Sequence, residues 1–299
     1  MEQKSQKPAI GFIGTGVMGK SMASRLIRAG YVLHVYTRTK SKAEPLLLEG
    51  ANWHDTPASL AEQSQIIITM VGYPHDVEEL YLGEHGIIHH ARPNSYLIDM
   101  TTSSPALARR IEQAALGRGL FSLDAPVSGG DIGARDGKLS IMVGGRREAF
   151  DEVTPVLKSM GTNIVYQGGA GAGQYTKMCN QIAIASNMIG VCESLIYAQK
   201  AGLDPSTVLK SIETGAAGSW SLSHLAPRII GGNFTPGFYV KHFVKDMKIA
   251  LESAKEMNLE LPGLALAHSL YEKLVELGEE DSGTQALFKV IGGKSPAVS

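Results

Sequence analysis

The chain has 299 residues, 28 Lys and Arg against 29 Asp and Glu, 43 % hydrophobic residues and two cysteines. A near-neutral balance with no basic tail leaves no footprint for nucleic acid or for an acidic membrane surface, and this length holds two domains, each with its own core. Cys179 and Cys192 fall in one helical stretch about 20 Å apart, beyond disulfide reach, which together with a first strand starting at residue 9 predicts a cytoplasmic protein with free thiols and no signal peptide.

The first element is the apolar run 9–13, followed by Gly14-Thr15-Gly16-Val17-Met18-Gly19 and a helical stretch that stops at Gly30. Strand, glycine turn and helix form the context of a dinucleotide fingerprint. Gly14 permits the tight turn, Gly16 lets a pyrophosphate approach the backbone, and Gly19 lets helix and strand pack closely. The free N–H groups at the helix start, from Val17 to Gly19, then face the phosphates. The second strand, 32–36, ends at Thr37-Arg38-Thr39-Lys40-Ser41-Lys42. An NAD site usually places an acid here for the ribose 2′-hydroxyl, but no Asp or Glu occurs between Gly19 and Glu44. Arg38, with Thr39 beside it, suits a 2′-phosphate, so NADP is favoured and NAD stays possible.

Further strand-like runs follow at 66–71, 96–100, 121–124, 139–143 and 163–166, with helical stretches between them, a parallel βαβ rhythm. In such a sheet function sits at strand ends. Met70 and Val71 end the third strand and should pass the cofactor. The segment after Asp99 is rich in hydroxyls: Ser104 before Pro105 reads as a helix cap, and Thr101 or Thr102 is left to contact the nicotinamide riboside. Ser128-Gly129-Gly130 exposes several backbone N–H groups in a small space, an anion nest suited to a carboxylate.

The glycine-rich segment 168–173 reads as a hinge. Beyond it only helices are expected, at 174–200, 205–213, 221–230, 244–257 and 264–277. The architecture expected is α/β: an N-terminal Rossmann doubly wound sheet, the NADP-binding domain over 1–168, then an all-α C-terminal domain over 169–299 for substrate and dimerisation. The first helix carries Lys177, Asn180 and Gln181 on one face at i, i+3 and i+4, while Met178, Ile182, Ala185 and Ile189 are apolar and should pack. A polar trio at the start of so apolar a helix points to use rather than to solvation. The most apolar stretch, 182–198, carries Asn187 and Glu193 and is too short and polar to span a bilayer. His85 and His89 read as a loop or surface pair, so no metal site is expected.

Four blocks together resemble the β-hydroxyacid dehydrogenase family, which includes 3-hydroxyisobutyrate dehydrogenase, tartronate semialdehyde (2-hydroxy-3-oxopropionate) reductase and small glyoxylate and succinic semialdehyde reductases. They are the segment Gly11 to Gly19, Asp124 to Gly130, Gly171 to Asn180, and Phe243 to Asp246; in order, they extend the likeness over about residues 9 to 290. The resemblance implies that Lys177 is the catalytic lysine and that Asn180 helps place substrate. Some members carry that residue one position later, where Gln181 stands, so both are candidates. Ser128, Gly129 and Gly130 match the substrate-carboxylate loop, and Thr102 and Lys245 match residues near the cofactor. Trp220 fits an interdomain segment as well as it fits core or dimer interface.

The reaction so implied interconverts a short 3-hydroxyacid, or 2-hydroxyacid, and its semialdehyde or oxo acid. In reduction protonated Lys177 stabilises the developing oxyanion and gives it a proton; in oxidation the neutral amine removes the hydroxyl proton, which partial burial would favour. An imine reductase of the same fold should lack the lysine, a non-catalytic NADP-binding scaffold should have lost catalytic residues, and a 6-phosphogluconate dehydrogenase-like decarboxylase should have a longer helical domain. The partners expected are a small carboxylate substrate and further copies of the chain, as homodimer or homotetramer, with no nucleic acid and no membrane.

Overall fold

Among the described residues nine strands form one sheet. They are β1 Ile10–Ile13, β2 Leu33–Tyr36, β3 Asn52–Trp53, β4 Ile66–Thr69, β5 Tyr96–Asp99, β6 Phe121–Asp124, β7 Val127–Ser128, β8 Leu139–Gly145 and β9 Gly161–Gly168. The computed structural model describes residues 7–292, which divide at Lys177/Met178 into two compact units. The sheet lies in the first. Its order is β3-β2-β1-β4-β5-β6-β8-β7, with β9 on β8. The order reverses between β1 and β4, where the chain crosses from one half of the sheet to the other. β1 and β4 are buried at every residue, because helices cover both faces of a parallel sheet and leave no solvent side.

Register aligns the strand ends. Ile13 stands opposite Tyr36 and Thr69, Thr69 opposite Asp99, and Asp99 opposite Asp124. These five of the parallel strands therefore deliver their following loops to one edge, where ligands of doubly wound sheets bind. The rhythm is not parallel throughout: β8 runs antiparallel to both β6 and β7. Two strands of only two residues each, β3 and β7, escaped the sequence reading because so short a run carries no period.

In the second unit the helices Pro205–Ile212, Val240–Glu256, Pro262–Glu276 and Leu287–Gly292 surround a core that includes Met188, Leu195, Phe243, Met247 and Tyr271. Asp204 caps the first of these through the N–H groups of Ser206 and Thr207, as its position before Pro205 predicts. The stretch expected as one helix over 221–230 is two, Trp220–His224 and Ala226–Ile230, broken at Leu225 just before Pro227.

The helix Ala172–Lys200 runs from the first unit into the second. At 29 residues, with an 18-residue window of mean hydropathy 1.2, it is long and apolar enough to cross a membrane, longer than the stretch 182–198 alone suggests. Its residues Met178, Ala185, Met188, Val191, Cys192 and Leu195 belong to the core of the second unit. Cys192 is buried and Cys179 exposed, and both thiols are free; burial pushes the Cys192 thiol up, which keeps it protonated and inert.

Candidate active site

The three glycines of the first turn differ in what surrounds them. Gly14 has φ +97°, and a Cβ there would run into the Met70 carbonyl oxygen; a Cβ on Gly19 would run into the carbonyl oxygen of Gly14. Both are glycine because strand, turn and helix pack backbone to backbone. Gly16 has ordinary backbone angles and open space where its Cβ would lie. The protein's own packing gives no reason for glycine here, whereas a group seated against the backbone does.

The helix behind it, Val17–Arg28, has no side-chain cap and no acid in its first turn, so the N–H groups of Val17, Met18 and Gly19 are offered to an anion. Thr15 Oγ1 is buried without a partner. An uncapped helix start, an open glycine and an orphaned hydroxyl together fit the diphosphate of a dinucleotide.

At the end of β2, Arg38 is exposed and pairs with Asp76 at 3.2 Å. Asp76 also accepts the Tyr73 N–H and so starts the helix Pro74–Leu82. Lys40 lies over the Trp53 ring, 5.2 Å from its centre, and Thr39 precedes a single turn over Lys40–Lys42. At the end of β4, the Val71 N–H donates to Thr101 Oγ1 at 3.0 Å. Thr101 is buried, so its hydroxyl is spent on holding the β4 loop, which leaves half-buried Thr102 as the candidate for ligand contact. Ser104 caps the helix Pro105–Leu116 through Leu107 N–H.

The Ser128 loop and Lys177 come together. Gly129 and Gly130 have φ of +128° and +63°, backbone that L side chains resist, and so turn their N–H groups into the loop. Lys177 is only 7 % exposed, and its Nζ donates to the Val127 carbonyl at 2.9 Å, one residue before Ser128. The turn preceding Lys177 is held by Asp124 at the end of β6. Asp124 Oδ1 accepts the Gly171 N–H and Oδ2 the Gln174 N–H, each at 2.8 Å. Gln174 in turn accepts the Ser103 N–H at 2.9 Å and donates to the Thr101 carbonyl at 2.8 Å.

The segment expected as a hinge is thus pinned where it enters the helix. Burial pushes the Asp124 carboxyl up to about 7, against the backbone donors of Gly171 and Gln174, which favour its ionised form; nearby Asp99 adds to the rise. A cavity of about 10 Å³ lined by both acids, Ala108, Ile111 and Ser122 has room for a single water.

In the second unit Asn180 and Gln181 are separated by exposure. Gln181 is fully buried; its Oε1 accepts from Asn180 Nδ2 and its Nε2 donates to Asp246 Oδ2, both at 2.7 Å. Asn180 is half-buried. Both ends of the Gln181 amide are thus occupied inside the protein, and of the two neighbours Asn180 is the one with exposed surface. Lys245 Nζ lies 2.9 Å from Asp246 Oδ1 as an ion pair without hydrogen-bond alignment. Trp220 is exposed and stacks on His224 at 4.6 Å.

The sequence reading gave no role to Asp124, Gln174 or Asp246. For Asp124 a signal existed, an acid set inside the apolar run Leu123 to Val127. For Asp246 none did, because its partner lies 65 positions away. His85 is an exposed loop residue and His89 contacts Arg118; among the described residues no group of three or more His, Cys, Asp or Glu is placed to hold a metal.

A doubly wound sheet with an open glycine at its reversal point and an uncapped helix behind it defines a dinucleotide-binding protein. Comparison with known proteins narrows that class. Residues 9–169 match the NAD binding domain of 6-phosphogluconate dehydrogenase, and residues 171–291 match the NAD-binding domain of NADP-dependent 3-hydroxyisobutyrate dehydrogenase. The uncharacterized oxidoreductase YkwC of Bacillus subtilis is 63 % identical over 95 % of this chain and 99 % of its own. The 2-hydroxy-3-oxopropionate reductase of Escherichia coli is 40 % identical, over 94 % of this chain and 96 % of that protein. Among solved structures, the 3-hydroxyisobutyrate dehydrogenase of Mycobacterium tuberculosis with L-serine superposes with a TM-score of 0.87 at 28 % identity, covering 95 % of this chain and 99 % of that one. The chain belongs to the 3-hydroxyisobutyrate dehydrogenase-like family of NAD(P)-dependent oxidoreductases.

Proposed function

We propose that the protein is an NADP-preferring reductase of a short semialdehyde or oxo acid, acting in reverse as dehydrogenase of the corresponding 3-hydroxyacid or 2-hydroxyacid. The observation that carries this reading is the buried lysine: Lys177 Nζ sits at the Val127 carbonyl, beside the Ser128-Gly129-Gly130 loop. A carboxylate on that loop brings the far end of a three- or four-carbon substrate to the amine. When bound, the nicotinamide cofactor supplies the hydride; Val17, Met18 and Gly19 hold its diphosphate, with Gly14 and Gly16 shaping the turn, and Met70, Val71 and Thr102 border it.

As negative charge grows on the carbonyl oxygen, the Lys177 ammonium stabilises it and then gives it a proton. In oxidation the neutral amine takes the hydroxyl proton. Asn180, one helical turn on, donates to the substrate, and Gln181 fixes its amide. Lys245 serves the cofactor, by resemblance to the family.

Arg38 supports NADP: it is exposed two residues past the end of β2, and its tie to Asp76 is a surface pair of little energy that a 2′-phosphate can replace. Only 39 % of the apolar window of Ala172–Lys200 is buried within one chain, and Tyr197 is 76 % exposed. A second copy of the chain covers such a helix in a homodimer or homotetramer, which light scattering after size exclusion measures directly. We place the enzyme in the cytoplasm.

The deciding experiment is NADPH oxidation with glyoxylate, tartronate semialdehyde, methylmalonate semialdehyde and succinic semialdehyde, with NADH in parallel. Turnover of one aldehyde names the substrate. Silence across the panel with NADPH bound would overturn the reductase assignment.

A further inference from the structure

The turn from Gly171 to Gln174, just ahead of Lys177, is more tightly held than a domain connection requires. Four N–H groups at a helix start have no partner within the helix, and two of those near this start are taken by one carboxyl group, Asp124, from β6. Asp124 is 3 % exposed. A buried acid is costly unless its oxygens are occupied, and here both accept from the same turn.

Glycines make the contact possible. A Cβ on Gly173 would lie 2.5 Å from the Asp124 carbonyl oxygen and 2.9 Å from Oδ2. A Cβ on Gly144, in β8, would lie 2.5 Å from Asp124 Oδ1 and 2.7 Å from the Gly173 nitrogen. On the far side of the same turn, the Gln174 amide bridges the Ser103 N–H and the Thr101 carbonyl. Lys177 follows Gln174 by one helical turn, and its amine ends 2.9 Å from the Val127 carbonyl.

We propose that Asp124 is a positioning residue for the reaction: by holding the Gly171 and Gln174 N–H groups it sets the height and rotation of the first helical turn, and so places Lys177 Nζ at the Ser128 loop. Asp124 itself touches no substrate, since its oxygens face the helix backbone. The proposal rests on the assignment of Lys177 as the acid–base group. It separates Asp124 from Ser128, Gly129 and Gly130, with which it shares a sequence block, and gives it a different task.

The test is a double-mutant cycle on single-turnover NADPH oxidation with Asp124→Asn, Lys177→Ala and the pair. Asparagine keeps the shape of the side chain but offers one acceptor oxygen instead of two, so one backbone donor loses its partner. Asp124→Asn should lower the rate roughly 10- to 100-fold, the scale of a misplaced catalytic group, while the NADPH dissociation constant moves by less than about twofold. In the Lys177→Ala background the same substitution should cost less than about threefold, because there is no amine left to misplace.

Equal losses in both backgrounds would show that Asp124 acts independently of the lysine and would overturn the proposal, as would a wild-type rate in Asp124→Asn. If Lys177→Ala alone keeps its turnover, the functional reading itself fails, a separate outcome. Should Asp124→Asn not fold, amide hydrogen exchange in the unaltered protein decides. Protection of the Gly171 and Gln174 amides comparable to the helix interior supports the anchor, and exchange at the rate of open loop amides overturns it.

Discussion

Replacing Gly16 by alanine should leave the fold intact and remove the cofactor, whereas the same change at Gly14 should do the reverse. Gly16 has φ −68° and ψ −165°, angles open to any L residue, and no atom within 4 Å of its Cβ position. As a helix N-cap, alanine loses roughly 0.5–1 kcal/mol against glycine, and the stiffer unfolded chain returns about 0.4–1 kcal/mol. The net effect on stability is close to zero. A diphosphate seated against the Gly16 backbone would meet the new methyl group, however, and would have to back away from the N–H groups of the helix start. Charge-assisted bonds of this type are worth about 1.5–3 kcal/mol each. Forfeiting one weakens NADPH by about 1.5–3 kcal/mol, roughly 10- to 150-fold in dissociation constant. Gly14→Ala instead forces a side chain onto φ +97° and into the Met70 carbonyl; the backbone term alone is about 1–2 kcal/mol, before any displacement of β4. Fluorescence titration of NADPH and thermal melting of both variants read the two effects separately. NADPH binding within about threefold of wild type in Gly16→Ala, or unchanged melting in Gly14→Ala, would refute the division of labour among these glycines.

Lys177→Ala should cut turnover to a small residual rate while NADPH still binds, measured by steady-state rates beside the same titration; wild-type turnover removes the acid–base assignment. Arg38→Asp should weaken NADPH far more than NADH, since it sets a carboxylate against the 2′-phosphate and adds to the charge of Asp76; equal losses would make the basic turn mere surface. Asp124 should leave its mark on stability between pH about 4 and about 7. Its carboxyl, pushed up to about 7 by burial, holds a proton more tightly in the folded protein than in the unfolded chain. Its contribution to stability is therefore full below the unfolded value and is lost as pH rises through the folded one, on the order of 4 kcal/mol in all. Urea unfolding across that range should show wild type losing stability relative to Asp124→Asn as pH rises; parallel curves would show that the backbone donors hold the acid ionised throughout.

Much of the molecule is written in local chemistry, and local chemistry is what a sequence displays. The glycine turn, the caps at Ser104 and Asp204, and the long apolar strands each depend on a few consecutive residues. The polar face of Lys177 and Asn180 follows from helical spacing alone. The antiparallel turn of β8 was not legible, because the two-residue strand β7 that leads into it has no period to detect. Nor was the burial of Gln181, which depends on Asp246 arriving from a helix 65 positions on. Whether a polar residue on an apolar helix faces a ligand or a buried acid is decided by what folds against it.

Glycine shows most plainly why the sequence read one way and the structure another. The run from Gly168 to Gly173 carries four glycines in six residues, and such density reads as freedom of movement. Glycine is also what remains when two backbones must touch, and the sequence does not distinguish the two uses. At Gly171 the reason is partly conformational, with φ +89°. At Gly173 it is proximity, to β6 on one side and β8 on the other, and the matching glycine is Gly144 in another strand. The turn from Gly171 to Gln174 is filled and hydrogen-bonded rather than open. It fixes the helix that follows, and with it the lysine one turn further on.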